Sequence, residues 1–102
     1  DNSFPESGYV KAINNGDGFN SIGWRFSPEK VFNYQKLFSL FDGLIVDRMK
    51  AVLITDNGVF GFNLTPDEFT KTEFDECSES RIELISESID ESFEEGLFDC
   101  IQ

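Results

Sequence analysis

One acidic segment holds the side chains best suited to chemistry: Asp75, Glu76, Cys77 and Glu79 place a thiol among three carboxylates. Thiolates and carboxylates are both ligands of divalent metal ions, so this group is a candidate metal site. Protein zinc sites usually combine closely spaced cysteines or histidines, and this chain has no histidine and no second cysteine near Cys77. We therefore favour a solvated acidic loop, and we expect no metal ligands in this chain.

The absence of histidine also limits catalysis, because neither a Ser-His-Asp nor a Cys-His arrangement can form. Asp90 and Glu94 stand at helical spacing and could resemble the acid pair of a glycosidase. Favourable charge at the positive end of a helix explains the same two residues without catalysis. Cys100 falls on the apolar stripe of the same predicted helix and is most simply a small core residue. We predict no catalytic residue and a non-enzymatic chain.

Nucleotide and calcium motifs are equally scarce in the sequence. A Gly-x-x-x-x-Gly-Lys-Ser/Thr loop is missing, and Gly16 and Gly18 do not continue into Gly-x-Gly-x-x-Gly. Residues 14–20 have a superficial likeness to a calcium loop, but Gly16 takes a ligand position and no glutamate closes a loop of the right length. A hairpin turn is the better interpretation, and we expect no cofactor bound by this chain.

The charge of the chain narrows its choice of partners. With 20 acidic against 8 basic residues, the net charge is −12, which opposes binding to nucleic acid or to an anionic membrane. No run approaches about 18 apolar residues, and no secretory signal pattern opens the chain, so we expect no membrane span. The two cysteines, Cys77 and Cys100, do not make a disulfide framework. We therefore expect reduced thiols and a cytoplasmic location.

Residues 48–63 form the stretch around which the other elements are organised. Two β-rich runs flank Asn57 and Gly58, the pair that most readily forms a type I′ turn, so the pattern predicts a tight hairpin. With these two as the loop, Thr55 faces Phe60. Alternation then puts one set of side chains on a core-facing side and another on a partly covered side: Met49, Ala51, Leu53, Phe60, Phe62 and Leu64 on the first, and Lys50, Val52, Ile54, Val59 and Gly61 on the second.

The remaining segments complete an α+β pattern. Residues 1–7 are polar and are predicted to be a linker or disordered tail, and residues 8–102 form the domain. Strands are predicted at 9–13, 19–26, 68–74 and 81–87, with the strand at 68–74 on an edge. Ser27, Pro28 and Glu29 predict the start of a helix that ends near Gly43, and Asp90 predicts the cap of a second. We expect a mostly antiparallel sheet with two amphipathic helices packed on one face, and a ferredoxin-like arrangement is one option for it.

Nine phenylalanines are many for two short helices and one sheet. The simpler expectation is that most of them fill the core. The other expectation is that some reach an exposed apolar patch that docks a partner. The residues concerned are Phe32, Phe38, Phe41, Phe60, Phe62, Phe69, Phe74, Phe93 and Phe98.

Several short runs follow one another in a fixed order along the chain: residues 22–26, 31–32, 37, 48–52, 57–58, 62–63 and 80–85. Through these runs, about residues 20–101 resemble the C-terminal domain of the CobW-type metal-handling GTPases. In that family a central strand carries an Arg-x-Lys-Gly-like run, a hairpin ends in an aromatic and a polar residue, and a late apolar strand precedes the final helix. Ala51 replaces the usual glycine of the Arg-x-Lys-Gly-like run.

The resemblance implies a non-catalytic accessory domain of a GTPase involved in zinc or cobalt homeostasis. Full-length relatives join this domain to a P-loop GTPase domain, which carries the nucleotide motifs and a Cys-x-Cys-Cys metal motif. None of those motifs occurs here, so GTP and the metal would be expected only in a full-length relative. The implied partners are a P-loop GTPase domain, of the same or another chain, and a metalloprotein client. The alternative is a stand-alone acidic module that binds a basic partner.

Overall fold

The computed structural model describes residues 4–88 and 90–102. Its elements follow one another as β1 (Tyr9–Gly16), β2 (Phe19–Phe26), α1 (Tyr34–Phe41), β3 (Arg48–Thr55), β4 (Gly58–Leu64), β5 (Phe69–Phe74), β6 (Ser80–Ser86) and α2 (Glu91–Asp99). The strands form one sheet in the order β1-β2-β6-β3-β4-β5, and all neighbouring strands are antiparallel. The predicted α+β fold is therefore confirmed.

The strand order places β6, the last strand of the chain, in the interior of the sheet between β2 and β3. A ferredoxin-like fold follows the order β-α-β-β-α-β. The described elements instead follow β-β-α-β-β-β-β-α, because hairpins join β3 to β4 and β4 to β5 before β6 returns to the centre. The ferredoxin-like expectation is corrected by this order.

Both helices pack on the same face of the sheet, as predicted. Phe93 of α2 lies 5.7 Å from Trp24 of β2, measured between ring centroids, and Phe41 of α1 lies 5.3 Å from Phe62 of β4. Trp24 is only 1 % exposed, which confirms it as a core anchor. The core between helices and sheet also includes Ile22, Phe26, Phe32, Leu37, Val46, Met49, Ala51, Leu53, Ile82, Leu84, Leu97 and Cys100.

The central hairpin has the predicted faces but a different turn. Leu53 pairs with Phe60 and Thr55 with Gly58, so the loop is Asp56 and Asn57 and the predicted register is wrong by two residues. Positive φ occurs at Gly58 and not at Asn57, whereas a type I′ turn needs it at both central positions. The Thr55 hydroxyl accepts from the amide of Asn57 and donates to the carbonyl of Gly58, which fixes the tighter loop. A shift of two residues preserves the alternation, and the core-facing set therefore remains correct.

The type I′ geometry occurs in the first hairpin instead. Asp17 and Gly18 connect β1 to β2 with φ of 47° and 85°. Strand β1 runs to Gly16, three residues beyond its predicted end, and Gly16 pairs with Phe19 of β2. The segment that superficially resembles a calcium loop is thus a β-hairpin, as we favoured.

Helix α1 begins later than predicted. Lys30 donates its amide to the carbonyl of Ser27, so residues 27–30 form a turn, and the helix is capped by Asn33. The intervening Phe32 is fully buried and exchanges backbone hydrogen bonds with Ile54 and Asp56 beside β3. These extended-chain contacts hold residue 32 outside the helix and override the start signal at Ser27 and Pro28. The helix ends at Phe41, close to the predicted stop at Gly43.

Helix α2 and the edge strand agree with the sequence pattern. Asp90 caps α2, and Phe93, Leu97 and Cys100 are buried along one stripe. A Cβ on Gly96 would lie 2.7 Å from the Leu40 side chain, so the glycine lets the two helices approach closely. Strand β5 lies at one edge of the sheet.

The N-terminal segment is described from residue 4 onward. Gly8 donates its amide to Pro5 and accepts from Ser27, and the Arg25 guanidinium lies 5.3 Å from the centre of the Phe4 ring. The predicted tail of residues 1–7 therefore falls partly outside the described residues.

Candidate interaction surface

In residues 4–88 and 90–102 both helices lie on the first face of the sheet, and no helix covers the second face. We call it the uncovered face. Its side chains come from the alternate positions of the strands: Val10, Ala12 and Asn14 of β1, Ser21, Gly23 and Arg25 of β2, Arg81, Glu83 and Ile85 of β6, Arg48, Lys50, Val52 and Ile54 of β3, Val59, Gly61 and Asn63 of β4, and Thr70, Thr72 and Phe74 of β5.

A trough of about 670 Å³ crosses this face over β1, β2, β6 and β3. Gly23 stands near its middle, paired with Ala12 on one side and with Glu83 on the other. A Cβ built on Gly23 would meet only the Ile82 carbonyl oxygen, at 3.7 Å, which is ordinary van der Waals contact. The missing side chain thus leaves room in the trough, and the backbone does not require glycine there.

Two arginines stand directly opposite each other on the uncovered face, Arg25 on β2 and Arg81 on β6. Like charges in this position repel, and Glu79 offsets the repulsion. Its carboxylate accepts from Arg25 Nε at 2.6 Å and from Nη2 at 3.2 Å, while Arg81 Nε is 3.7 Å away. The hydrogen bonds from Arg25 are the main reason that the pKa of Glu79 is lowered. Glu79 therefore hydrogen-bonds Arg25 and makes only a longer ion pair with Arg81, whose side chain is 69 % exposed.

Lys50 and Arg48 extend the positive charge along β3. Both are exposed, and in residues 4–88 and 90–102 neither forms an ion pair within 4.0 Å. Lys50 stands opposite Glu83, whose carboxylate accepts instead from the Ser21 hydroxyl at 3.4 Å. The uncovered face thus holds four of the eight basic residues of a strongly acidic chain.

The far end of the uncovered face is apolar. The Phe74 ring lies over Gly61, where an added Cβ would be 2.6 Å from the ring. Val52, Ile54 and Val59 are half-buried beside it. Among the nine phenylalanines of the prediction, Phe74 and Phe69 are exposed, at 45 % and 38 %, and the others are buried or packed against the core.

Asp90 and Glu94, the two carboxylates that could resemble a glycosidase pair, already have hydrogen-bond partners on the helical side of the sheet. Asp90 accepts from the amide of Ser92, and Glu94 accepts from the Trp24 indole at 2.9 Å and from Lys11 at 3.0 Å. The indole hydrogen bond is the main cause that lowers the pKa of Glu94. These contacts give Asp90 and Glu94 structural roles in capping α2 and in satisfying a buried tryptophan.

Both thiols are free, and they lie in different environments. Cys77 is half-buried next to Glu79, and Cys100 is buried in the core; burial raises the pKa of each thiol. In the part of the chain that the structure describes, no three His, Cys, Asp or Glu side chains are grouped to hold a metal ion. Over the same residues, neither helix has the length and apolar character needed to cross a membrane.

Sequence reasoning did not identify Arg25, Lys50 and Arg81 as a group. The available signal was the alternation of each strand, which places all three on the face opposite the core-facing positions.

In comparisons with known proteins, no family model, curated protein or solved structure matches this chain.

Proposed function

We propose that this chain is a non-catalytic accessory domain of a CobW-type GTPase involved in zinc or cobalt homeostasis. It acts by protein contacts with a GTPase domain, of the same or another chain, or with a metalloprotein client. GTP hydrolysis and metal transfer would belong to the P-loop domain. We also infer a cytoplasmic location, where the free thiols of Cys77 and Cys100 stay reduced.

The observation that carries this proposal is the uncovered face of the sheet. Antiparallel sheets tolerate one solvated face when its side chains are uniformly polar. Here the face instead combines a trough, an apolar end at Phe74 and clustered cations such as Arg81 and Lys50. Exposed apolar area bordered by charge is typical of a protein-binding surface. The sequence resemblance supplies the kind of partner.

The test mixes this domain with the P-loop domain of a CobW-type GTPase and measures affinity by calorimetry and GTP turnover in parallel. We expect measurable binding, a change in turnover, and loss of both effects in an Arg81→Glu variant. Lys36→Glu is the matched control, since Lys36 is an exposed cation on α1 at the other side of the molecule. Wild-type protein that neither binds nor alters turnover would refute the proposal.

A stand-alone acidic module for a basic partner is the second candidate. The observation that favours it is the group of exposed carboxylates around the start of α2: Glu87, Asp90, Glu91 and Glu95. Such a partner would bind the helical side and would be displaced by salt. Glu91→Lys would then weaken binding, whereas Arg81→Glu would leave it unchanged.

A further inference from the structure

We propose that the trough on the uncovered face binds an extended acidic segment of a partner protein whose apolar side chains lie on the same side as its carboxylates. The inference rests on the proposed function for the identity of the partner, and it deepens that function by naming the chemistry of the segment. The trough is the region lined by Val10, Ala12, Gly23, Arg25, Lys50, Val52, Arg81 and Glu83.

Charge complementarity is the first argument. The chain carries a net charge of −12, yet three cations with side chains on this face, Arg25, Lys50 and Arg81, line the trough. They stand against the carboxylate of Glu83 and that of Glu79, which is bound to Arg25. Arg48 adds a fourth positive charge two residues beyond Lys50 on β3. Opposite potentials guide association and fix the orientation of the partner. An acidic segment is therefore attracted to this face and repelled by the rest of the surface.

The spacing of the exposed cations is the second argument. Arg81 stands opposite Val52, so it is a diagonal neighbour of Lys50. Diagonal positions on one face of a sheet are about 7–8 Å apart. Side chains two residues apart on an extended chain project to the same side at about 6.6 Å, from about 3.3 Å per residue. Two glutamates at alternate positions of an extended segment can thus reach both cations.

The third argument concerns the hydrogen bonds that Glu79 accepts from Arg25. Because Glu79 binds Arg25 through two hydrogen bonds, it fixes that guanidinium without satisfying Arg81. Planar guanidinium groups bind carboxylates through paired hydrogen bonds. Among residues 4–88 and 90–102, the Arg81 guanidinium makes no side-chain hydrogen bond, and it can therefore bind a carboxylate from outside the chain.

The floor of the trough gives room for apolar side chains. Ala12 and Gly23 are small, and Val10 and Val52 are half-buried at its two sides. An apolar side chain placed over Gly23 would bury these surfaces from water. An extended segment with both glutamates and apolar residues on one side fits both the floor and the rim better than a uniformly charged chain.

Nucleic acid is negatively charged as well, but it carries a phosphate at every nucleotide. A strand would therefore extend beyond the four cations, and its outer phosphates would be repelled by the acidic rest of the surface. A short peptide places its charges only over the trough. We therefore assign the trough to an acidic protein segment.

The experiment measures fluorescence anisotropy of a labelled peptide of the pattern Leu-Ser-Glu-Ser-Glu-Ser-Leu-Ser, which puts glutamate and leucine on one side of an extended chain and serine on the other. A length of about eight residues spans the trough at about 3.3 Å per residue. Two variants change the trough. Gly23→Val fills its floor, and the double variant Lys50→Glu with Arg81→Glu reverses the charge of its rim. Gly16→Val, at the hairpin end with no atom within 4 Å of an added Cβ, is the control for bulk. Lys36→Glu is the control for charge, and circular dichroism verifies folding of each protein.

We expect both trough variants to weaken binding at least about tenfold and both controls to remain within about twofold of wild type. Raising the salt from about 0.05 to 0.3 M should weaken the wild-type interaction. The inference is overturned if the peptide does not bind, if Lys36→Glu weakens binding as much as the double variant, or if a single-stranded RNA of equal length displaces the peptide completely.

The two proposals fail in different ways. If the peptide binds in the trough but a CobW-type GTPase domain has no affinity for the protein, the proposed function is wrong and the acidic-segment inference stands. If the GTPase domain binds wild type and Gly23→Val equally well and the peptide binds neither, the inference is wrong and the proposed function stands.

Discussion

Replacement of Glu94 by alanine should destabilise the protein by about 1–3 kcal/mol, because it removes the hydrogen-bond partner of a buried indole. The Trp24 N–H donates to Glu94 Oε2 at 2.9 Å, and Trp24 is 1 % exposed. The second oxygen pairs with Lys11 at 3.0 Å, where both side chains are 31 % exposed, so this pair adds about 0.2–1 kcal/mol. A cavity of about 280 Å³ beside Trp24 can admit water to the indole, which favours the lower half of the range.

Glu94→Gln separates the two contributions. The amide oxygen can still accept from the indole, so the loss should be below about 1 kcal/mol. Glu95→Ala is the control, since Glu95 is exposed on the same helix, and it should change stability by less than about 0.5 kcal/mol. Urea unfolding followed by the fluorescence of the single tryptophan, and by circular dichroism, measures all three. Equal losses for Glu94→Ala and Glu94→Gln would refute the role of the hydrogen bond.

The same contact predicts a dependence on pH. The indole hydrogen bond, followed by Lys11, lowers the pKa of Glu94 in the folded state. The resulting stabilisation is present above the ordinary glutamate pKa of about 4.3 and is lost as pH falls through the lower folded pKa. The stability difference between wild type and Glu94→Gln should therefore shrink in acid. A difference that grows below pH of about 4 would contradict the assignment.

Three further predictions concern other contacts. Lys71→Met should cost about 1 kcal/mol in urea unfolding, since Lys71 Nζ donates to the Tyr34 hydroxyl at 2.7 Å and lies 5.4 Å from the centre of that ring; an unchanged midpoint would contradict it. Gly96→Ala should gain about 1 kcal/mol in a Leu40→Ala background but less in the wild type, where the new Cβ meets Leu40; additive effects in the double-mutant cycle would exclude the close contact. Cys100 should react with a thiol reagent only on unfolding, whereas Cys77 should react in the native state; rapid native labelling of both would be inconsistent with the buried position of Cys100.

Local patterns in the sequence predicted the faces of the strands better than their partners. Alternation placed Leu53 and Phe62 on the core-facing side of the central hairpin, and the observed register keeps them there. The turn was misplaced because Gly58 alone supplies the positive φ, and Thr55 closes a loop that begins one residue earlier. Competing turns of this kind differ by contacts that composition does not reveal.

Long-range pairing limited the prediction further. The start of α1 was misplaced because Phe32 pairs with residues near 54–56, more than twenty positions away. The uncovered face depends on the return of β6 between β2 and β3, which brings Arg81 beside Arg25. No local signal reports that order, so the cations could be assigned to solvent-facing positions but not to one another.

The most direct test of the central claim is amide chemical-shift mapping of the ¹⁵N-labelled domain mixed with the P-loop domain of a CobW-type GTPase. We predict that the largest shifts fall on alternate residues of β2, β6 and β3, around Gly23, Arg81 and Lys50. Shifts confined to the two helices, or no shifts at all, would contradict the account that this protein acts through the uncovered face of its sheet.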